Sequence, residues 1–148
     1  MLYALMGLGL SLITGILNIP NFAHGALFAV GAYLLASAAV AIGNFWIALL
    51  VAPLGVALLG LVIEYAGIRR LYAAGHDYQL LFTFGLALIL SEAIILIWGP
   101  VGYSYLPPQA LRGGLDLGFT FYPKYRLFVM VMAGLLVLAT WLFLEKTR

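Results

Sequence analysis

The chain has 148 residues, 66% of them hydrophobic and only 8% charged, with a net charge of +2 and no cysteine, and its mean hydropathy is +1.14. Soluble globular domains carry about 25% charged residues, so a water-exposed fold is excluded and the chain reads as an integral membrane protein. Disulfides, thiolate metal sites and thiol nucleophiles are excluded with cysteine, and the absence of a polybasic run gives no reason to expect nucleic acid.

In chain order, residues 2–19 form a first uncharged apolar segment. As a helix it would be about 27 Å long, barely a span. It lacks the basic n-region and small-residue cleavage site of a signal peptide, so it is read as retained. A polar interruption follows, with Asn18, Pro20, Asn21 and His24 close together. Pro20 cannot donate its backbone hydrogen bond and disfavours helix at Ile19, so a helix ends or kinks there. The expectation is a broken or kinked helix pair between Asn18 and Gly25. No Asp, Glu, Lys or Arg precedes Glu64, which leaves His24 as the only acidic or basic side chain of the first sixty-odd residues.

A second segment, 23–42, carries small residues at four-residue spacing: Gly25 and Ala29, Ala32 and Ala36, Ser37 and Ala41. Such pairs let helices approach closely in lipid. Asn44 and Phe45 mark a turn, and the third segment, 46–63, contains Pro53 and Gly55. From Glu64 to Tyr78 the chain turns polar and reads as a solvent-side connection, with Glu64 as an ion-pair partner for Arg69 or Arg70. The fourth segment, 78–98, contains Glu92, and the fifth is 127–144. Between them residues 99–126, rich in Pro and Gly, read as an ordered extramembrane loop. The fold expected is therefore all-α, a bundle of about five transmembrane helices in one membrane domain over residues 1–148.

Catalytic and nucleotide-binding signatures are missing. There is no GxxxxGK[ST] run and no HExxH helix, and neither histidine has enough neighbouring ligands for a metal. No enzyme activity, cofactor or metal is expected. The transport-pathway candidates are Asn18, Asn21, His24 and Glu92, because polar and ionisable groups in a membrane segment are costly unless they face protein or water. Each has a plainer reading: the asparagines as helix-end hydrogen-bonders, and His24 as a brace for carbonyls that Pro20 frees. Glu92 is harder to reduce, since Leu88, Ile89, Ile95 and Leu96 offer it no partner on its own helix.

The run Asn21, Phe22, Ala23, His24, Gly25, followed by Gly31, Ala32, Tyr33, then Thr83, Phe84, Gly85, Leu86 and Trp98, Gly99, resembles the permease subunits of branched-chain amino-acid ABC importers, of the LivH type. Pro20, Gly25 and Gly31 are expected to be structural residues of the break and the helix after it. The resemblance implies a multi-pass protein of the bacterial inner membrane that pairs with a second permease subunit, cytoplasmic ATPase subunits and a periplasmic solute-binding protein. It further implies that the chain corresponds to the N-terminal half of a longer permease, since such permeases continue with a loop that engages the ATPase. Two functions follow: a permease subunit forming part of the translocation pathway, or a non-transporting half-permease or membrane assembly protein. If all five segments cross, Arg69, Arg70, Lys146 and Arg148 share one side, and the positive-inside rule makes that side cytoplasmic. A single cysteine in the 99–126 loop is expected to react with an impermeant reagent from outside the cell, and labelling from the cytoplasmic face alone would invert the topology.

Overall fold

The computed structural model describes residues 6, 7, 9–11, 15, 21–72, 75–102, 105–116 and 121–146. Met6, Gly7, Gly9, Leu10, Ser11 and Gly15 are helical. The rest of the first predicted segment, with Asn18 and Pro20, lies outside the described residues. The described chain divides into two compact units, one built on residues 10–105 and one on residues 1–9 and 106–148. Four helices among the described residues are long and apolar enough to cross a membrane, in keeping with the expected all-α membrane fold.

In the first unit, helix α1 is His24–Ile42. It stops where Gly43 adopts a left-handed φ of 71° and donates its N–H to the Ala39 carbonyl, a conformation that glycine reaches without steric cost. Asn44 then starts the next helix: its side-chain carbonyl accepts from the N–H groups of Trp46 and Ile47, which would otherwise be unsatisfied at a helix start. Helix α2 runs Phe45–Ile63 with Pro53 in its interior, continues through a π-helical turn at Glu64–Ile68, and ends with Arg69–Leu71. The expected polar connection from Glu64 to Tyr78 is thus mostly helix. Glu64, Arg69 and Arg70 sit on a continuous helix of 27 residues, about 40 Å long against a hydrocarbon layer of about 30 Å. Helix α3 is His76–Trp98.

Burial is inverted relative to a soluble protein. Ala23, Ala36, Ala39, Ala48 and Ala52 are buried, while Leu50, Leu54, Leu58 and Leu61 are 64–72% exposed. Small side chains bring the helix axes together, and lipid accepts the large ones. A Cβ on Gly31 would lie 3.3 Å from Val56, and one on Gly55 would lie 3.3 Å from Leu34. The contact between α1 and α2 is therefore a reciprocal interlock of one large and one small residue. This departs from the small-residue pairs expected from spacing: Gly25, Ala32 and Ala41 are exposed, so each of those pairs turns one member outward. Helix α3 packs on α1 through Val30, Leu90 and Ile94, with Ala26, Leu27, Leu86 and Trp98 around them.

In the second unit, strands β1 (Gly114–Asp116) and β2 (Phe121–Pro123) pair antiparallel, with Leu115 opposite Tyr122. Helix α4, Lys124–Lys146, follows directly. The Lys124 N–H donates to the Gly113 carbonyl, and the Arg112 Nε donates to the Pro107 carbonyl, so this stretch has local order of its own. Because α3 ends at Trp98 and α4 begins at Lys124, the connection is residues 99–123. Lys124, Tyr125 and Arg126 form the first turn of a helix rather than the end of a loop.

Candidate functional site

Of the polar interruption, the described residues Asn21 to Gly25 form the start of α1. The Asn21 side-chain carbonyl accepts the Ala23 N–H at 3.0 Å, and its backbone carbonyl accepts the His24 N–H at 3.2 Å. Asn21 thereby folds the chain into a local turn just ahead of α1, whose own boundary residue, Ala23, provides no side-chain cap. Ala23 has no exposed surface, while Asn21 and His24 are half-buried and Gly25 is exposed with open space around it.

Three inter-helix contacts fix which residues share a level in the bundle. Helices α1 and α2 are antiparallel, so counting from Gly31 against Val56 sets His24 beside Ile63 and Glu64. Helices α1 and α3 run parallel, and Trp98 Nε1 donates to Ser37 Oγ at 2.6 Å; counting back from that bond sets His24 beside Gly85. Gly67 lies against the Phe82 ring, which sets Glu64 opposite Gly85. The three counts agree. Two stretches some sixty residues apart in sequence, Asn21 to Gly25 and Thr83 to Leu86, therefore meet at one level. Thr83 is almost wholly buried there and donates to the Leu80 carbonyl.

Helix α1, with 19 residues, is about 28 Å long, close to one hydrocarbon thickness. With the Gly43 turn at one membrane boundary, the Asn21–His24 level lies near the other. Helices α2 and α3 continue past it by about 10–13 Å. In that extension the Tyr72 hydroxyl donates to the Glu64 carboxylate, and Gln79 Nε2 donates to the Leu71 carbonyl at 3.1 Å. Residues eight apart in an uninterrupted α-helix sit about 80° out of line. The i→i+5 repeat of the π-turn takes up part of that offset and lets Tyr72 reach Glu64. This bond raises the Tyr72 pKa above the ordinary phenol value, with burial and the Glu64 charge adding to the effect. The ion pair expected for Glu64 is replaced: its partner is Tyr72, and the Arg69 guanidinium lies 5.9 Å from the centre of the Tyr65 ring.

Glu92 is elsewhere. It is level with Gly31, near the middle of α1, and exposed. Helical geometry puts it about 200° round α3 from Leu90, which faces α1. His24 and Glu92 are thus about 10 Å apart along the axis and on different faces, and the chain itself does not bring them together. Sequence reasoning missed the Trp98–Ser37 bond and the Glu64–Tyr72 bond; the serine and the tyrosine were visible, but their partners depend on helix register.

The family described as the permease component of the branched-chain amino acid transport system matches residues 1–148. The chain belongs to this family. Among curated proteins, it is 26% identical over 163 residues to the high-affinity branched-chain amino acid transport system permease protein LivM of Escherichia coli (strain K12), covering 97% of this chain and 37% of that protein. The protein of the same name from Salmonella typhimurium matches with the same identity and coverage. The chain therefore spans 37% of the length of these relatives. Their name is LivM where the motifs resembled the LivH type, and the family is the one expected. No solved structure matches. Family and apolar helices together describe a multi-pass protein of the inner membrane.

Replacing Asn21 with Ala removes the acceptor of the Ala23 N–H and is expected to destabilise the turn ahead of α1 by about 1 kcal/mol, seen as faster amide exchange at Ala23 and His24. Asn21→Asp, which keeps an acceptor, should leave exchange near that of the native chain, and equal exchange in Asn21→Ala would show that this bond contributes nothing.

Proposed function

We propose that the chain is part of the membrane-spanning permease of an ABC importer for branched-chain amino acids or related small solutes. The observation that carries the proposal is the family match across residues 1–148. Consistent with it, the two stretches that carry the family resemblance meet at one level of the bundle. The working partners are a second permease subunit, cytoplasmic ATPase subunits and a periplasmic solute-binding protein. In this reading the chain performs no chemistry on its solute, and the energy comes from the ATPases.

The pathway residues proposed are Asn21 and His24 at one mouth and Glu92 at mid-depth, with Asn18, which lies outside the described residues, as a further candidate. Glu92 shares its outward face of α3 with Leu88, Ile89 and Leu96, all exposed. A carboxylate at that depth costs on the order of 3 kcal/mol against lipid, which argues that this face turns to protein or to a hydrated path. The rest of the assembled permease supplies that surface. A solute with an ammonium group crossing there meets one carboxyl contact amid hydrocarbon, enough to favour entry and weak enough to allow release.

The test is ATP-driven uptake by the assembled transporter in proteoliposomes, measured per inserted permease. Glu92→Gln and Glu92→Leu are both expected to insert normally and to lower uptake about fivefold or more, as for loss of one charge-assisted contact. Native uptake by Glu92→Leu would remove this residue from the pathway. Absence of solute uptake by the native assembly would overturn the permease reading itself.

A further inference from the structure

One exposed stripe of α2 passes from hydrocarbon side chains to an aromatic and then to a cation. Leu54, Leu58 and Leu61 are 65%, 64% and 65% exposed, Tyr65 is 71% exposed, and Arg69 lies over the Tyr65 ring. Their spacing of four, three, four and four residues keeps them on one side of the helix. From Leu54 to Tyr65 is about 16 Å along the axis, the depth of one leaflet of a hydrocarbon layer about 30 Å thick. Arg69 and the adjacent, exposed Arg70 lie about 6 Å or more further out, within the headgroup layer.

The level of the stripe agrees with this assignment. Tyr65 follows Glu64, which shares the level of the α1 start and so lies about one hydrocarbon thickness from the Gly43 turn. Tyrosine favours this boundary, where its ring is apolar and its hydroxyl wet. The acids nearest the arginines on these two helices are Glu64 and Asp77, and the Arg69 charge reaches the Tyr72 hydroxyl that Glu64 holds. Glu64 is on the half-buried side of α2 and accepts from Tyr72, and Asp77 is on the first turn of α3. Stacking on Tyr65 holds the Arg69 guanidinium against the helix at this outer level.

We propose that this stripe seats an anionic phospholipid, with its acyl chain along Leu54, Leu58 and Leu61 and its phosphate at Arg69 and Arg70. The assignment rests on the membrane-spanning fold and not on the transported solute. The contrast with α3 supports it: the outward face of α3 contains a carboxylate at mid-depth, whereas the stripe on α2 holds no polar side chain until the boundary is reached.

The test uses the full 148-residue chain in nanodiscs of equal phosphatidylglycerol and phosphatidylcholine, with retained lipids counted by native mass spectrometry. The native chain should retain phosphatidylglycerol over phosphatidylcholine by about tenfold or more, the size expected for two interfacial cations. The double variant R69Q/R70Q should lose that preference, and R69K/R70K should keep most of it. A photo-crosslinker at Leu58, with both arginines intact, should yield a lipid adduct in native membranes. Preference that survives R69Q/R70Q, or a Leu58 adduct to a protein, would overturn the proposal; a protein adduct would make the stripe a subunit interface instead.

Discussion

Everything described in the first unit depends on one packing constraint, the interlock of Gly31 with Val56 and of Gly55 with Leu34. In lipid no hydrophobic force drives two apolar helices together, so their register is set by how closely the backbones can approach. Two glycines placed opposite two large residues provide that approach and allow little sliding, since a shift of one turn would set large residue against large. Once α1 and α2 are locked, the Trp98–Ser37 hydrogen bond and the Tyr33–Trp98 ring contact at 5.2 Å fix α3 along the same axis. The level shared by His24, Glu64 and Gly85 is a consequence of these contacts and not of any direct contact among the three.

The same register explains why helices of similar composition face different surroundings. Small residues are consumed by the α1–α2 contact, leaving leucines outward on α2, whereas α3 turns its Leu90 and Ile94 side to α1 and leaves Glu92 outward. In a permease the first kind of face suits lipid, and the second suits a neighbouring helix or a hydrated path. The extension of α2 and α3 past the start of α1 is held by short-range polar bonds, Tyr72 to Glu64 and Gln79 to Leu71, at the end where packing against α1 is no longer available.

Much of this was legible in the sequence. Composition alone gave the membrane class, and the Gly43–Asn44 turn is adjacent to its expected position because glycine and asparagine have the backbone freedom and side-chain acceptor that a helix-to-helix turn needs. Residues 64–78 were misread because charge was taken to mean loop, although a helix longer than the bilayer is thick keeps its charged end in water. The small-residue seam was misassigned because an alanine-rich helix offers such spacings on several faces, and only the partner helix selects one. That His24 and Glu92 stand about 10 Å apart along the axis on separate helices depends on helix register, which cannot be read from a linear chain.

The register of α1 against α2 is the central claim, and the natural absence of cysteine allows a clean test in membrane vesicles. Cysteines placed at Leu34 and Gly55 should join readily on mild oxidation, because a disulfide needs Cα atoms within about 7 Å. Cysteines at Leu27 and Gly55, offset by about 10 Å along α1, should stay reduced. Cross-linking of the Leu27 pair in preference to the Leu34 pair would contradict the interlock and, with it, the level shared by His24 and Glu64.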